Sequence, residues 1–315
     1  MEEAEQLSAV SRRLRRLRLA DLRDYGIALS FILIFVFLSL ASPVFFSTRN
    51  MLNVLDQSAA IGIIATGETL VLIAGGLDLS VAAIFAVVGV VNASLAPELG
   101  VFPAILVALL TGAALGLFNG ILSTVGRINS IIATLATSIM YRGIAVSMTR
   151  GFLVTVHEPA FAVLGRGTIG PFKYSSIIFL ASIVLAWFML RRTAFGRYIY
   201  AVGGNAEAAR LSGVRVNHIK TLTFIISGLT AGLAGVLISS RVATGQADAG
   251  LGMEISAIAA VVIGGTSVAG GQGAAWRTLF GVLLLTLIGN GFNLLNVNPI
   301  YQQAFTNETG PATGR

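Results

Sequence analysis

Long blocks of apolar residues, each divided from the next by a short polar or glycine-rich interval, run through most of this chain. A helix that crosses a hydrocarbon core needs about 20 mostly apolar residues. Nine blocks reach or approach that length, near 26–42, 54–74, 80–96, 103–125, 131–148, 174–190, 221–240, 253–269 and 277–296. The pattern predicts about nine transmembrane helices in an all-α integral membrane protein. It divides the chain into a basic segment at 1–25, one membrane domain at 26–299 and a polar tail at 300–315.

Composition agrees with that reading and removes several others. Of 315 residues, 55% are hydrophobic and 11% charged, with a mean hydropathy of +0.85, too apolar for a soluble domain. Gly112, Gly116 and Gly120 form two overlapping G-xxx-G steps, which predict a tightly packed interior helix. Zero cysteines exclude disulfides, iron–sulfur clusters and thiol catalysis. With only His157 and His218, no histidine-rich metal site is expected, and no catalytic residue stands out.

Basic residues set the expected orientation. Arg12, Arg13, Arg15, Arg16, Arg18 and Arg23 precede the first block and hold that end in the cytoplasm, as a topology signal and lipid anchor and not as a nucleic-acid arm. Threading nine spans from there adds Arg127, then Arg191, Arg192, Arg197, Arg210, Arg215 and Lys220, then Arg277. That places 14 of the 21 basic residues on the cytoplasmic side. The longest outward segment, about 149–173, has the glycines and prolines of a loop.

The cytoplasmic loop at 191–220 contains GGNAEAARLSGV. Asn205 is a good N-cap, Glu207 sits in the first turn where the dipole favours an acid, Arg210 lies near the last turn, and Gly213 supplies the stop. The expected helix has about two turns, too short to hold alone in water. Ala206, Ala208 and Ala209 offer a nearly smooth surface and Leu211 one larger contact, suited to a groove on another protein or to packing on the membrane face.

Polar residues inside the blocks are candidates for a solute route. Glu68 lies well within the second block, where a carboxylate is costly, and Thr66 and Thr69 are placed to bond it. Gly75, Gly76, Asp78 and Ser80 interrupt the apolar run; a break there either lines the interior of an assembly or caps the third helix. Asn119, Asn290 and Asn293 suit hydrogen bonds between helices, and Glu254 suits the first turn of the eighth span. GGTSVAGGQG lacks the Gly-Lys-Ser/Thr ending of a phosphate loop, and Trp276 spoils a dinucleotide fingerprint. The chain therefore carries no nucleotide site of its own.

RYIYAVGGNAEAARLSGVRV resembles the cytoplasmic coupling loop of the permease subunits of ribose-type ABC sugar importers. The resemblance extends to IGIIATGETLVLIAGGLDLSV at 61–81, FNGILSTVGRINSIIATLATSIMYRGIAV at 118–146, GLGMEISAIAAVVIGGTSVAGGQG at 250–273 and IGNGFNLLNVNPIYQQ at 288–303. It implies a type II-like importer permease in the bacterial inner membrane, importing a monosaccharide such as ribose or xylose. ATP and Mg would bind partner ATPase subunits, which dock at Gly203, Gly204, Asn205, Glu207, Ala208, Ala209, Arg210 and Gly213. A second permease copy or a homologous permease, and an external sugar-binding protein, complete the implied assembly. On the same scaffold, a nucleoside or other small polar solute is the alternative cargo. An ion-coupled carrier would need matching carboxylates in two halves, and Glu68 has no evident counterpart. Family members continue past Gln303 with a tenth span, whereas AFTNETGPATGR is too polar to cross, and Arg277 stands where the family has a small residue.

Overall fold

A computed structural model describes residues 26–296. Helices α1 (Gly26–Ala41), α2 (Thr48–Ile73), α3 (Val81–Leu99), α4 (Val101–Thr124) and α5 (Ser130–Thr149) come first. They are followed by α6 (Val163–Arg166), α7 (Tyr174–Arg192), α8 (Ala194–Gly204), α9 (Ala206–Leu211), α10 (Val216–Val242), α11 (Met253–Ile263) and α12 (Ala275–Leu294). Seven of these, α2, α3, α4, α5, α7, α10 and α12, are long and apolar enough to cross a membrane; α1 and α11 are shorter apolar helices at two further expected positions. The expectations for the arginines at 12–23 and for the tail beyond Gln303 fall outside the described residues.

The helices start and stop where side chains satisfy their ends. Ser47 Oγ accepts from Asn50 N at the start of α2, and Asn129 Oδ1 accepts from Ile131 N at the start of α5. Between α5 and α7, residues 150–173 fold into two-residue strands, β1 (Val154–Thr155), β2 (Thr168–Ile169) and β3 (Phe172–Lys173), and the single turn α6. The β2 and β3 strands pair antiparallel, while β1 pairs with β4 (Thr244–Gly245) just past α10.

At the centre stand α2, α3 and α10, joined by a core that includes Ile63, Ile64, Ile84, Val88, Ala231 and Ala234. The G-xxx-G helix, α4, is not interior as expected. Ala104, Ala108, Gly112, Gly116 and Gly120 form one buried ridge, with the three glycines against α10 and Ala104 against α3, while Leu106, Leu110, Leu117 and Ile121 face outward. A Cβ on Gly112 would lie 2.7 Å from Gly228 O. Small residues at every fourth position thus let two backbones touch without burying the rest of α4.

The eighth expected span, 253–269, is also different. Helix α11 stops at Ile263, where Gly264 and then Gly265, with φ +84°, end it. Eleven residues at 1.5 Å each give about 16 Å, half a hydrocarbon core. The segment 243–252, the strand Thr244–Gly245 followed by turns, leads into α11, with Gly250 and Gly252 at φ +75° and +83°.

Candidate functional site

The stretch 193–215 forms two helices, not one. Thr193 Oγ1 accepts from Gly196 N and starts α8, a helix missed by the sequence reading even though its apolar residues recur at helical spacing. Asn205 then caps α9 as expected, its Oδ1 accepting from Ala208 N at 2.9 Å. Gly213, at φ +85°, closes α9, with Gly213 N donating to Arg210 O and Val214 N to Ala209 O. Those two bonds satisfy the last carbonyls of the helix and hold its exit direction.

The pair is fixed to the membrane bundle by its own apolar face. Ile199, Val202 and Ala209 are buried with Leu70 and Ile73 of α2, Leu190 of α7 and Ile219 of α10. Ala209 is therefore turned inward, and the expected alanine surface is split. Facing outward are Glu207, Ala208, Arg210 and Leu211, the last 77% exposed. Glu207 and Arg210 form a bidentate pair at 2.6 and 3.0 Å. That hydrogen bond, with the guanidinium charge, holds the Glu207 carboxyl below its ordinary value of 4.5. The pair accordingly persists through neutral pH and is lost only as pH falls through the lowered value.

The end of α8 meets the core backbone to backbone. Gly203 lies against the Ile73 carbonyl and Gly271 N, and Gly270 packs between Gly203 O and Gly75 Cα. Gly271 N donates to Ile73 O at 2.9 Å, and Tyr200 OH donates to Gly273 O at 2.8 Å. Gly75, Gly270 and Gly271 all have positive φ. Three segments, the α2–α3 break, the α8 end and the α11–α12 loop, therefore touch with no side chain between them, and a displacement of α8 bears directly on both others.

Within the break, four of the expected pathway residues come together. Asp78 Oδ1 accepts from Ser80 N and Ser80 Oγ, and Asp78 Oδ2 accepts from Ser227 Oγ of α10. Glu68 Oε1 accepts from Asp78 N, Asn119 Nδ2 donates to Ser80 Oγ, and Tyr141 OH donates to Asn119 Oδ1. Thr66 and Thr69 do not bond Glu68, as had been expected. Each donates instead to the carbonyl one turn back, and they face Ser182 and Thr278 respectively. Glu68, Asp78 and Ser80 are completely buried, as is Asn119, and Ser80 occupies the N-cap position of α3 without bonding the helix through its side chain. Gly75 and Gly76 turn the chain at the α8 contact. Asn50 and Asn290 exchange two hydrogen bonds across α2 and α12, the interhelical role expected for Asn290, whereas Asn293 is exposed. Glu254 does open α11.

Two ionic groups had gone unread. Asp56 on α2 receives Lys173 at 2.7 Å, Ser175 of α7 at 2.6 Å, and Arg241 of α10. Arg142 on α5 donates to the carbonyls of Ala247 and Ala249. An ionisable residue inside an apolar block was the available signal for both.

A capped helix pair is thus packed firmly on one end of the helical bundle. Residues 50–307 match the family described as branched-chain amino acid transport system / permease component. The chain belongs to this permease family. It is 40% identical over 283 residues to the ribose import permease protein RbsC of Haemophilus influenzae, covering 87% of this chain and 86% of the relative. Identity to RbsC of Escherichia coli K12 is 41%, over 87% of both. The L-arabinose ABC transporter permease protein AraH of Azospirillum brasilense is 39% identical, over 88% of this chain and 82% of that one. No solved structure matches the chain. The permease is thus a multi-pass membrane subunit of an ATP-binding-cassette import system, which implies ATPase and binding-protein partners.

The buried carboxylate at the break has a direct test. Glu68→Gln keeps the Oε1 acceptor for Asp78 N and removes an ionisable carboxyl whose Oε2 has no hydrogen-bond partner among the described residues. Sugar uptake should stay within about twofold of wild type, because only bonding to the neutral acceptor is needed. A loss of uptake with the protein still inserted would assign the carboxyl itself a part in transport.

Proposed function

We propose that this permease imports a monosaccharide of the pentose or related hexose class and that partner ATPases drive it through α8 and α9. The observation that carries the reading is the fixed helix pair: an inward face packed on α2, α7 and α10, and an outward face of Glu207, Ala208, Arg210 and Leu211. ATP and Mg bind the ATPases, and this chain performs no bond chemistry. Two copies of the chain enclose the route, and an external binding protein delivers the sugar. The α8–α9 end faces the cytoplasm of a bacterial cell, with the amino terminus on the same side, as the bias of arginine and lysine toward that side favours. Gly203 and Asn205 orient the docking face, and Gly213 ends it.

Burying one leucine at an interface stabilises it by roughly 2 kcal/mol, worth about 30-fold in affinity. Leu211→Glu should therefore reduce recovery of the co-expressed ATPase by about that factor while leaving membrane insertion intact. Wild-type recovery and wild-type uptake of D-ribose, D-xylose and L-arabinose in this variant would exclude α9 as the docking element.

A further inference from the structure

We propose that the irregular segment 244–252, two strand residues followed by turns, forms a polyhydroxyl-contacting wall of the translocation route, with Gln246 and Asp248 as the groups that meet the sugar. The proposal rests on the importer reading above and adds a site to it.

The segment lies at membrane depth. Arg142, whose guanidinium holds the Ala247 and Ala249 carbonyls at 2.7 and 2.9 Å, sits seven residues before the end of α5 at Thr149, about 10 Å inward at 1.5 Å per residue. An independent helix gives the same depth. Gly250 packs on Phe85, whose carbonyl meets Gly235, seven residues before the end of α10 at Val242. From Gly245, against Val90 and Ala93, to Gly250, the chain descends along α3 before α11 begins.

Irregular backbone at that depth survives only inside protein or along a watery cavity, since its polar groups find no partner in lipid. Both conditions are visible along this turn, in which Ala249 N donates to Gln246 O. Gly245 and Ala247 are buried against the core, while Gln246 and Asp248 between and beyond them are exposed. Arg142 satisfies the carbonyls and fixes the segment, so its outward side chains are presented from a rigid mount. An exposed carboxylate about 10 Å inside the outer end would be strongly disfavoured against lipid tails. Facing water, Asp248 and Gln246 are hydrogen-bonding groups suited to a neutral polyol: the carboxylate accepts from hydroxyls, and the amide both donates and accepts. Glu254, one residue into α11, has a buried Oε2 with no hydrogen-bond partner among the described residues. Glu254 and Asp248 both lie near the Arg142 guanidinium, so the mount faces two carboxylates of the segment it holds.

Because the chain has no cysteine, each introduced cysteine is the single thiol of this subunit. Gln246→Cys and Asp248→Cys, in the full complex with its ATPase and binding protein in proteoliposomes, are exposed to the membrane-impermeant 2-sulfonatoethyl methanethiosulfonate. Val184→Cys on the apolar outward face of α7 is the lipid control. Both test positions should react about tenfold faster than the control, and D-ribose added during turnover should slow them several-fold. Asp248→Asn and Gln246→Ala should lower maximal uptake about fivefold with the complex still assembled. Reaction at the control rate, or cross-linking between two copies at 248 in place of reagent access, overturns the proposal. Normal uptake in both substitution variants overturns it as well. Failure of the importer reading is separately visible, as an unmutated complex that binds no ATPase or takes up no sugar.

Discussion

Gly203→Ala is expected to abolish sugar uptake, while Gly204→Ala, one residue away in the same helix, leaves it within about twofold of wild type. The contrast follows from what a methyl group meets. At Gly203 it would overlap the Ile73 carbonyl oxygen and lie 2.6 Å from Gly271 N; at Gly204 nothing stands within 4 Å. Neither glycine needs a left-handed backbone, so the difference is one of space alone. Backbone atoms cannot rotate away as a side chain can, and relief requires α8 to move off the α2–α3 break. Overpacking of this kind costs roughly 1–3 kcal/mol or more. It also parts the three segments through which docking motion would reach the core. Uptake in proteoliposomes, with complex recovery and thermal stability measured on the same samples, distinguishes loss of coupling from loss of folding. Wild-type transport by Gly203→Ala would mean that the junction yields easily and transmits little.

The second large effect is expected at the opposite end of the bundle. Asp56, 7% exposed, holds both Lys173 and Arg241, which are 43% and 28% exposed, and accepts a further hydrogen bond from Ser175. It thereby ties α2 to the start of α7 and the end of α10. Removing one partner of a buried ion pair costs roughly 3–5 kcal/mol, because the remaining charge stays desolvated. Lys173 can swing into water, so the lower part of that range, about 3 kcal/mol, is expected for Asp56→Ala. Arg241 is the group left stranded, with Ser175 Oγ as its remaining side-chain partner here. Replacing both, as Asp56→Leu with Arg241→Met, should recover most of the loss, since an apolar pair of similar size needs no desolvation. Thermal unfolding of the purified subunit in detergent reads both variants. Equal destabilisation by the single and double changes would show that packing, not charge, makes the tie.

Much of this permease is legible along one dimension. Membrane residence, the places of nine apolar blocks, the capped α9 with its Asn205 start and Gly213 stop, and the family itself all depend on local composition, periodicity and motif order. Such signals act over one or two helical turns, so a linear reading captures them. What faces what is a different kind of information. That α4 lends only one ridge to the core, that Glu68 bonds a backbone amide ten residues on rather than its neighbouring threonines, and that Gly203, Gly75 and Gly270 converge all depend on contacts between distant segments. The same holds for the eighth crossing. A span was expected over 253–269, and only the contacts of Gly245 and Gly250 with α3, and of Arg142 across from α5, show the chain before α11 packed along the core. Local sequence sets which backbone conformations are cheap; where they are used is decided by the close packing and hydrogen-bond satisfaction of the whole bundle.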